Sequence, residues 1–150
     1  MSATIFSKSS RITNLPSKLT ISVATPELAL LIRLSGFTIA DQLTRWIPTN
    51  NGLELWEILQ KFKEEGTVKE KAGCVITDIE MPQMDGHRLL KLMKADPELK
   101  DIPVVIFSSL INEEMYRKGE QLGADAQLSK NEFNEFIHEL DRIIREKYGA

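Results

Sequence analysis

The chain has a single cysteine, Cys74, and only two histidines, His87 and His138. One cysteine excludes an internal disulfide and a cysteine-rich metal site. Neither histidine has a second one nearby to complete a ligand pair, and no Ser-His-Asp order appears. Each reads as a surface residue on a helix. No Gly-rich phosphate loop is present. The net charge of −3 leaves no basic footprint for nucleic acid. No apolar run approaches the ~20 residues of a membrane span. The N-terminus lacks the apolar core of a signal peptide. No repeat recurs at the period of a solenoid. These absences fit a cytoplasmic, non-membrane protein that binds no nucleic acid.

What is present suits one domain: 150 residues, 42% of them hydrophobic and 27% charged. Met1 to Lys18, rich in Ser, Thr and Lys with Pro16 near its end, reads as a mobile arm or frayed terminus, and the domain as 19–150. Leu19 to Ala24 alternates apolar and small polar residues and reads as a first strand. Thr25-Pro26-Glu27 is a helix start: Thr25 caps, Pro26 suits the first helical position, and Glu27 favours the positive end of the dipole. Apolar residues at Leu28, Leu31, Ile32, Ile39 and Leu43 continue the helix to Gly36 or, as preferred here, to about Gln42. Thr44 to Pro48 is then strand two.

Asn50-Asn51-Gly52 turns the chain into an amphipathic helix carrying Leu53, Leu55, Trp56, Ile58, Leu59 and Phe62 with polar residues between them. Trp56 and Phe62 read as core. Lys61 to Lys71 reads as a charged surface loop. Strand three is Gly73 to Asp78, followed by a helix over 86–95 that ends at Asp96-Pro97. Strand four is Ile102 to Ser108, with a helix over 112–122 stopped by Gly123. Strand five is Ala126 to Ser129, and a final helix covers 132–148. Apolar strands alternating with amphipathic helices call for an α/β fold with a five-stranded parallel sheet covered on both faces.

The stretch Cys74-Val75-Ile76-Thr77-Asp78-Ile79-Glu80-Met81-Pro82-Gln83-Met84-Asp85-Gly86 carries the chemistry. Its apolar run is too short for a helix and ends in an acid. In open α/β sheets ligands bind outside the carboxyl ends of the strands. On position alone Asp78 reads equally as a site acid or as a turn acid.

The wording of that stretch resembles the phosphoacceptor segment of response-regulator receiver domains. Ile102-Pro103-Val104-Val105-Ile106-Phe107-Ser108-Ser109 is similar to their fourth strand, and Gly123-Ala124-Asp125-Ala126-Gln127-Leu128-Ser129-Lys130 to their fifth. The likeness is specific from about Asn50 to Lys130. Glu80-Met81-Pro82 and Ser108-Ser109-Leu110 look most like receivers fused to chemotaxis coupling domains.

The resemblance implies a flavodoxin-like (βα)5 fold and a non-enzymatic signalling role. Asp78 would be the phosphoacceptor, Ser108 the switch hydroxyl and Lys130 the phosphate-binding cation. A sensor histidine kinase would supply the phosphoryl group. Since only a final helix follows Lys130, output would go to a protein partner through the helix over 112–122, strand five and the last helix.

Four positions depart from the family pattern. Receivers hold Mg²⁺ with two adjacent acids at the end of strand one, where this chain has Thr25 and Pro26. Asp78 and the Glu80 carbonyl remain, so Mg²⁺ binding is expected to be weak. Gln127 replaces the usual aromatic switch residue, and Asn131 the proline after the lysine. Two readings follow: a stand-alone phosphoacceptor, and a degenerate pseudo-receiver that docks partners without phosphorylation. A flavodoxin-like hydrolase or reductase is a poor third, because base, cofactor loop and metal cluster are missing.

Overall fold

The computed structural model describes residues 19–23, 30, 44–81, 83–109 and 111–148. The arm over 1–18, the helix start at Thr25-Pro26-Glu27 and the chain from Gly36 to Leu43 lie outside them.

Five strands form one parallel sheet in the order β2-β1-β3-β4-β5. They are β1 (Leu19–Val23), β2 (Thr44–Pro48), β3 (Cys74–Thr77), β4 (Val104–Ser108) and β5 (Ala126–Ser129). Every residue of β3 and β4 is buried, as central strands covered on both faces must be. The register sets Thr77 beside Ile106 and Ser108 beside Ser129, so β3, β4 and β5 end at one edge.

Five helices are described: α1 (Gly52–Glu65), α2 (Val68–Lys71), α3 (Gly86–Ala95), α4 (Glu113–Leu122) and α5 (Phe133–Tyr148). Three start on a side-chain cap. Asn51 accepts from the Glu54 amide, Asp85 from Arg88 and Asn112 from Met115, each at 2.8 Å. Two stop at a left-handed glycine, Gly66 at φ 69° and Gly123 at φ 96°.

One face of the sheet is packed by Leu55, Leu59 and Phe62 of α1 with Leu89, Leu90 and Met93 of α3. Trp56 packs, half-buried, against the same core. On α5, Phe136, Leu140 and Ile144 are fully buried, and Phe136 stacks on Phe107 of β4 at 4.2 Å.

Two sequence readings need correction. Lys61 to Lys71 is not a loop: α1 runs to Glu65 and α2 follows. Phe62 and Val68 bury 7% and 9% exposed, and those anchors hold helix where charge suggested solvent. His87 is not a surface residue; it is 3% exposed. Its ring lies on the α3 face that carries Leu90 one turn on.

Candidate functional site

Asp78 follows the last residue of β3, and its carboxylate collects donors from three segments. Oδ1 accepts from the Ser108 hydroxyl at 2.6 Å, the Ile79 amide at 2.7 Å and the Glu80 amide at 3.4 Å. Oδ2 stands 2.8 Å from Lys130 Nζ. The Asp78 side chain is 14% exposed and that of Lys130 44%, so the pair opens to water on the lysine side. Ser108 is fully buried at the end of β4. Lys130 follows β5, and its amide donates to the Ser108 carbonyl at 3.2 Å. The three candidates named from sequence therefore meet at the carboxyl edge of the sheet, where three parallel strands stop together.

Electrostatics favour the ionised acid. Burial alone would push the Asp78 carboxyl up, but the Lys130 ammonium and the Ser108 hydroxyl outweigh it and hold the group below its usual range.

The loop behind Asp78 is fixed by backbone contacts that sequence reading missed. Thr77 Oγ1 donates to the Asp78 carbonyl at 2.9 Å. The Gly86 amide donates to the Ile79 carbonyl at 2.8 Å. A Cβ at Gly86 would lie 2.0 Å from the Asp78 carbonyl oxygen, and one at Gly52 would lie 2.2 Å from that of Met84. Glycine lets α3 and α1 start directly against the loop. Between them Gln83 takes a positive φ of 68°, uncommon for a residue with a side chain. The Asp85-Gly86 pair was the visible signal; the partners across space were not.

Glu80 is exposed, and no group of three or more metal-ligating side chains occurs among the described residues. Both Asp78 oxygens already take donors. The described residues do not fit a tight magnesium site. Thr25 and Pro26 lie outside them. Gln127 turns onto α4, donating from Nε2 to the Tyr116 carbonyl at 2.8 Å.

The described residues thus form a parallel α/β domain with an acid, a hydroxyl and a lysine converging at the carboxyl edge of its sheet. The response regulator receiver domain model matches residues 48–141. The chain belongs to that family, the receiver module of two-component signalling.

Among curated proteins it is 32% identical over 110 residues to chemotaxis protein CheV3 of Helicobacter pylori, covering 73% of this chain and 33% of that protein. It is 34% identical to CheV2 of the same organism over 64% of this chain and 29% of that protein. The chain thus spans about a third or less of the length of these relatives.

Among solved structures, the phosphorylated cyanobacterial phytochrome response regulator RcpA superposes with a TM-score of 0.67 at 20% identity, over 87% of this chain and 94% of that one. The receiver domain of a sensor histidine kinase from Pseudomonas aeruginosa PAO1, solved with magnesium in its active-site cleft, has a TM-score of 0.61 at 13% identity, over 89% of this chain and 99% of that one. These likenesses establish the fold. Among the described residues no helix is long and apolar enough to cross a membrane.

Proposed function

We propose that this chain takes a phosphoryl group on Asp78 from a sensor histidine kinase and signals, in the cytoplasm, through protein contacts without enzymatic turnover of its own. The observation that carries the reading is the convergence of the Ser108 hydroxyl and the Lys130 ammonium on one carboxylate. An Asp78 oxygen attacks the phosphorus of a phosphohistidine, the P–N bond breaks, and an acyl phosphate forms as imidazole leaves. Lys130 offsets charge on the transferred oxygens, and Ser108 moves its hydrogen bond from the carboxylate to the phosphate. The output surface is α4, β5 and α5, where Tyr116 is 45% exposed. The similarity to CheV proteins makes chemotaxis the pathway proposed. The domain assigned to this role is 19–150, with 1–18 as an arm.

The second reading is the pseudo-receiver. It is favoured by the engagement of both Asp78 oxygens by the chain's own donors, and by the neutral Thr25-Pro26 pair. One experiment separates the two. The protein is incubated with acetyl phosphate and Mg²⁺, and intact mass is read against Asp78→Asn. A gain of one phosphoryl group in the wild type alone supports the phosphoacceptor; no gain in either protein supports the pseudo-receiver.

A further inference from the structure

We infer that His87 is a proton-operated latch between the acceptor loop and α4: a proton on its buried ring releases α4 from α3. The latch does not depend on phosphorylation of Asp78.

His87 is the second residue of α3, directly after Gly86, whose backbone is fixed against Asp78 and Ile79. Its ring is 3% exposed, and Nε2 is buried with no hydrogen-bond partner. α3 and α4 pack side by side, and the Met115 backbone of α4 lies against the ring. The charged groups acting on it are Lys118 from α4 and Asp85 from its own helix. Burial first, and then Lys118, oppose a proton there; Asp85 and the Met115 backbone favour one less strongly, so the ring is held below its ordinary value.

A neutral imidazole suits this environment. An imidazolium does not, because its Nε2–H would find no acceptor and its charge would face a lysine. Relief requires water at the ring, and one of the two helices must move to admit it. α3 buries Leu89, Leu90 and Met93 along with His87. In α4 the only buried residue is Gly119. α4 is the weaker partner and is the one to yield.

The sign follows. With the folded value lowered, the unfolded or opened ring binds the proton first. The penalty on the closed state is absent at neutral pH and grows as pH falls below about 6.5.

The test is hydrogen exchange of the full chain at about pH 7.5 and about pH 5.5, either side of the ordinary histidine value and corrected for intrinsic rates, with ring signals followed by NMR. Acid is expected to lower protection in Glu113–Leu122 by about tenfold relative to β3 and β4, the factor for one pH unit of linkage. His87 should titrate below the ordinary histidine value of about 6.5. His87→Phe, which keeps a ring but cannot titrate, should abolish the response, and Lys118→Gln should move the His87 titration upward. If His87→Phe does not fold, the wild-type titration and Lys118→Gln decide. Titration of His87 at or above the ordinary histidine value of about 6.5, or an α4 response unchanged in His87→Phe, overturns the latch.

Discussion

Gly86→Ala sets two opposing effects against each other at the loop that follows Asp78. Alanine is favoured over glycine in a helix interior by about 1 kcal/mol, and by less at the first helical position. Gly86 has no positive φ, so the backbone itself would accept the side chain. Contact decides otherwise. The new Cβ would stand 2.0 Å from the Asp78 carbonyl oxygen and 3.1 Å from Ile79 Cα. Both neighbours are backbone, and neither can swing aside as a side-chain tip would. The Gly86 amide is also tied to the Ile79 carbonyl at 2.8 Å.

Relief therefore means moving α3 or the loop by about an ångström, with overpacking costs of about 1–3 kcal/mol. Net of the propensity gain, the variant should lose about 1–2 kcal/mol. That corresponds to a fall in melting temperature of about 2–8 °C for a chain of this size. Urea unfolding followed by far-ultraviolet circular dichroism reads the midpoint. Gly66→Ala is the comparison, because a Cβ there meets nothing within 4 Å and its cost is that of the left-handed conformation alone. Refutation would be a Gly86→Ala midpoint at or above wild type: the loop would then yield freely, and α3 would not fix the Asp78 backbone.

Three further outcomes are expected. Gly119→Ala places its Cβ 2.0 Å from Gln127 Oε1, but that atom ends a flexible side chain; a helix gain and one lost hydrogen bond, each about 1 kcal/mol, should nearly cancel, and a loss as large as that of Gly86→Ala in the same urea assay would show that Gln127 cannot move. Because the Asp78 carboxyl is held below its unfolded value, its stabilisation is present above about pH 4 and fades as pH falls through the folded value; Asp78→Asn should flatten part of the acid limb of the urea midpoint against pH, and a limb parallel to wild type would deny the acid this role. Thr25→Asp with Pro26→Asp, which restores two adjacent acids, should strengthen Mg²⁺ binding in calorimetric titration, and an unchanged isotherm would show that those positions do not face the ion.

The strands were legible because burial on both faces writes itself as an unbroken apolar run. Cys74 to Thr77 and Val104 to Ser108 are such runs, and each is wholly buried. Two helix starts were legible as the turns Asn51-Gly52 and Asp85-Gly86 ahead of apolar periodicity, while the caps themselves emerged only with the fold. The stretch from Lys61 to Lys71 misled because its charges outnumber its anchors. Phe62 and Val68 sit in a lysine- and glutamate-rich background, and only Gly66 marked where one helix stopped and another began. His87 misled by residue type, although its spacing to Leu90 placed it on the buried face of α3.

The site divides along the same physical line. In a parallel sheet every strand carries its last residue to one edge, so three residues that each close a strand converge without any long-range information. Asp78, Ser108 and Lys130 needed only that rule. What the carboxylate then touches is set across space. The hydroxyl and the ammonium take different oxygens of Asp78, and the amides of Ile79 and Glu80 share the first. That division has a consequence for charge. Lys130 is the one side-chain cation on Asp78 among the described residues, and it is already spent on the free carboxylate. A phosphoryl group arriving there brings further negative charge, so Lys130 must leave the carboxylate for the phosphate or a second cation must enter. The described residues supply no group of three or more ligating side chains to hold that cation. On the proposed phosphoacceptor reading, transfer to Asp78 would be limited by the reassignment of one lysine, and with acetyl phosphate and intact mass as the readout Lys130→Met should abolish labelling that Ser108→Ala only slows.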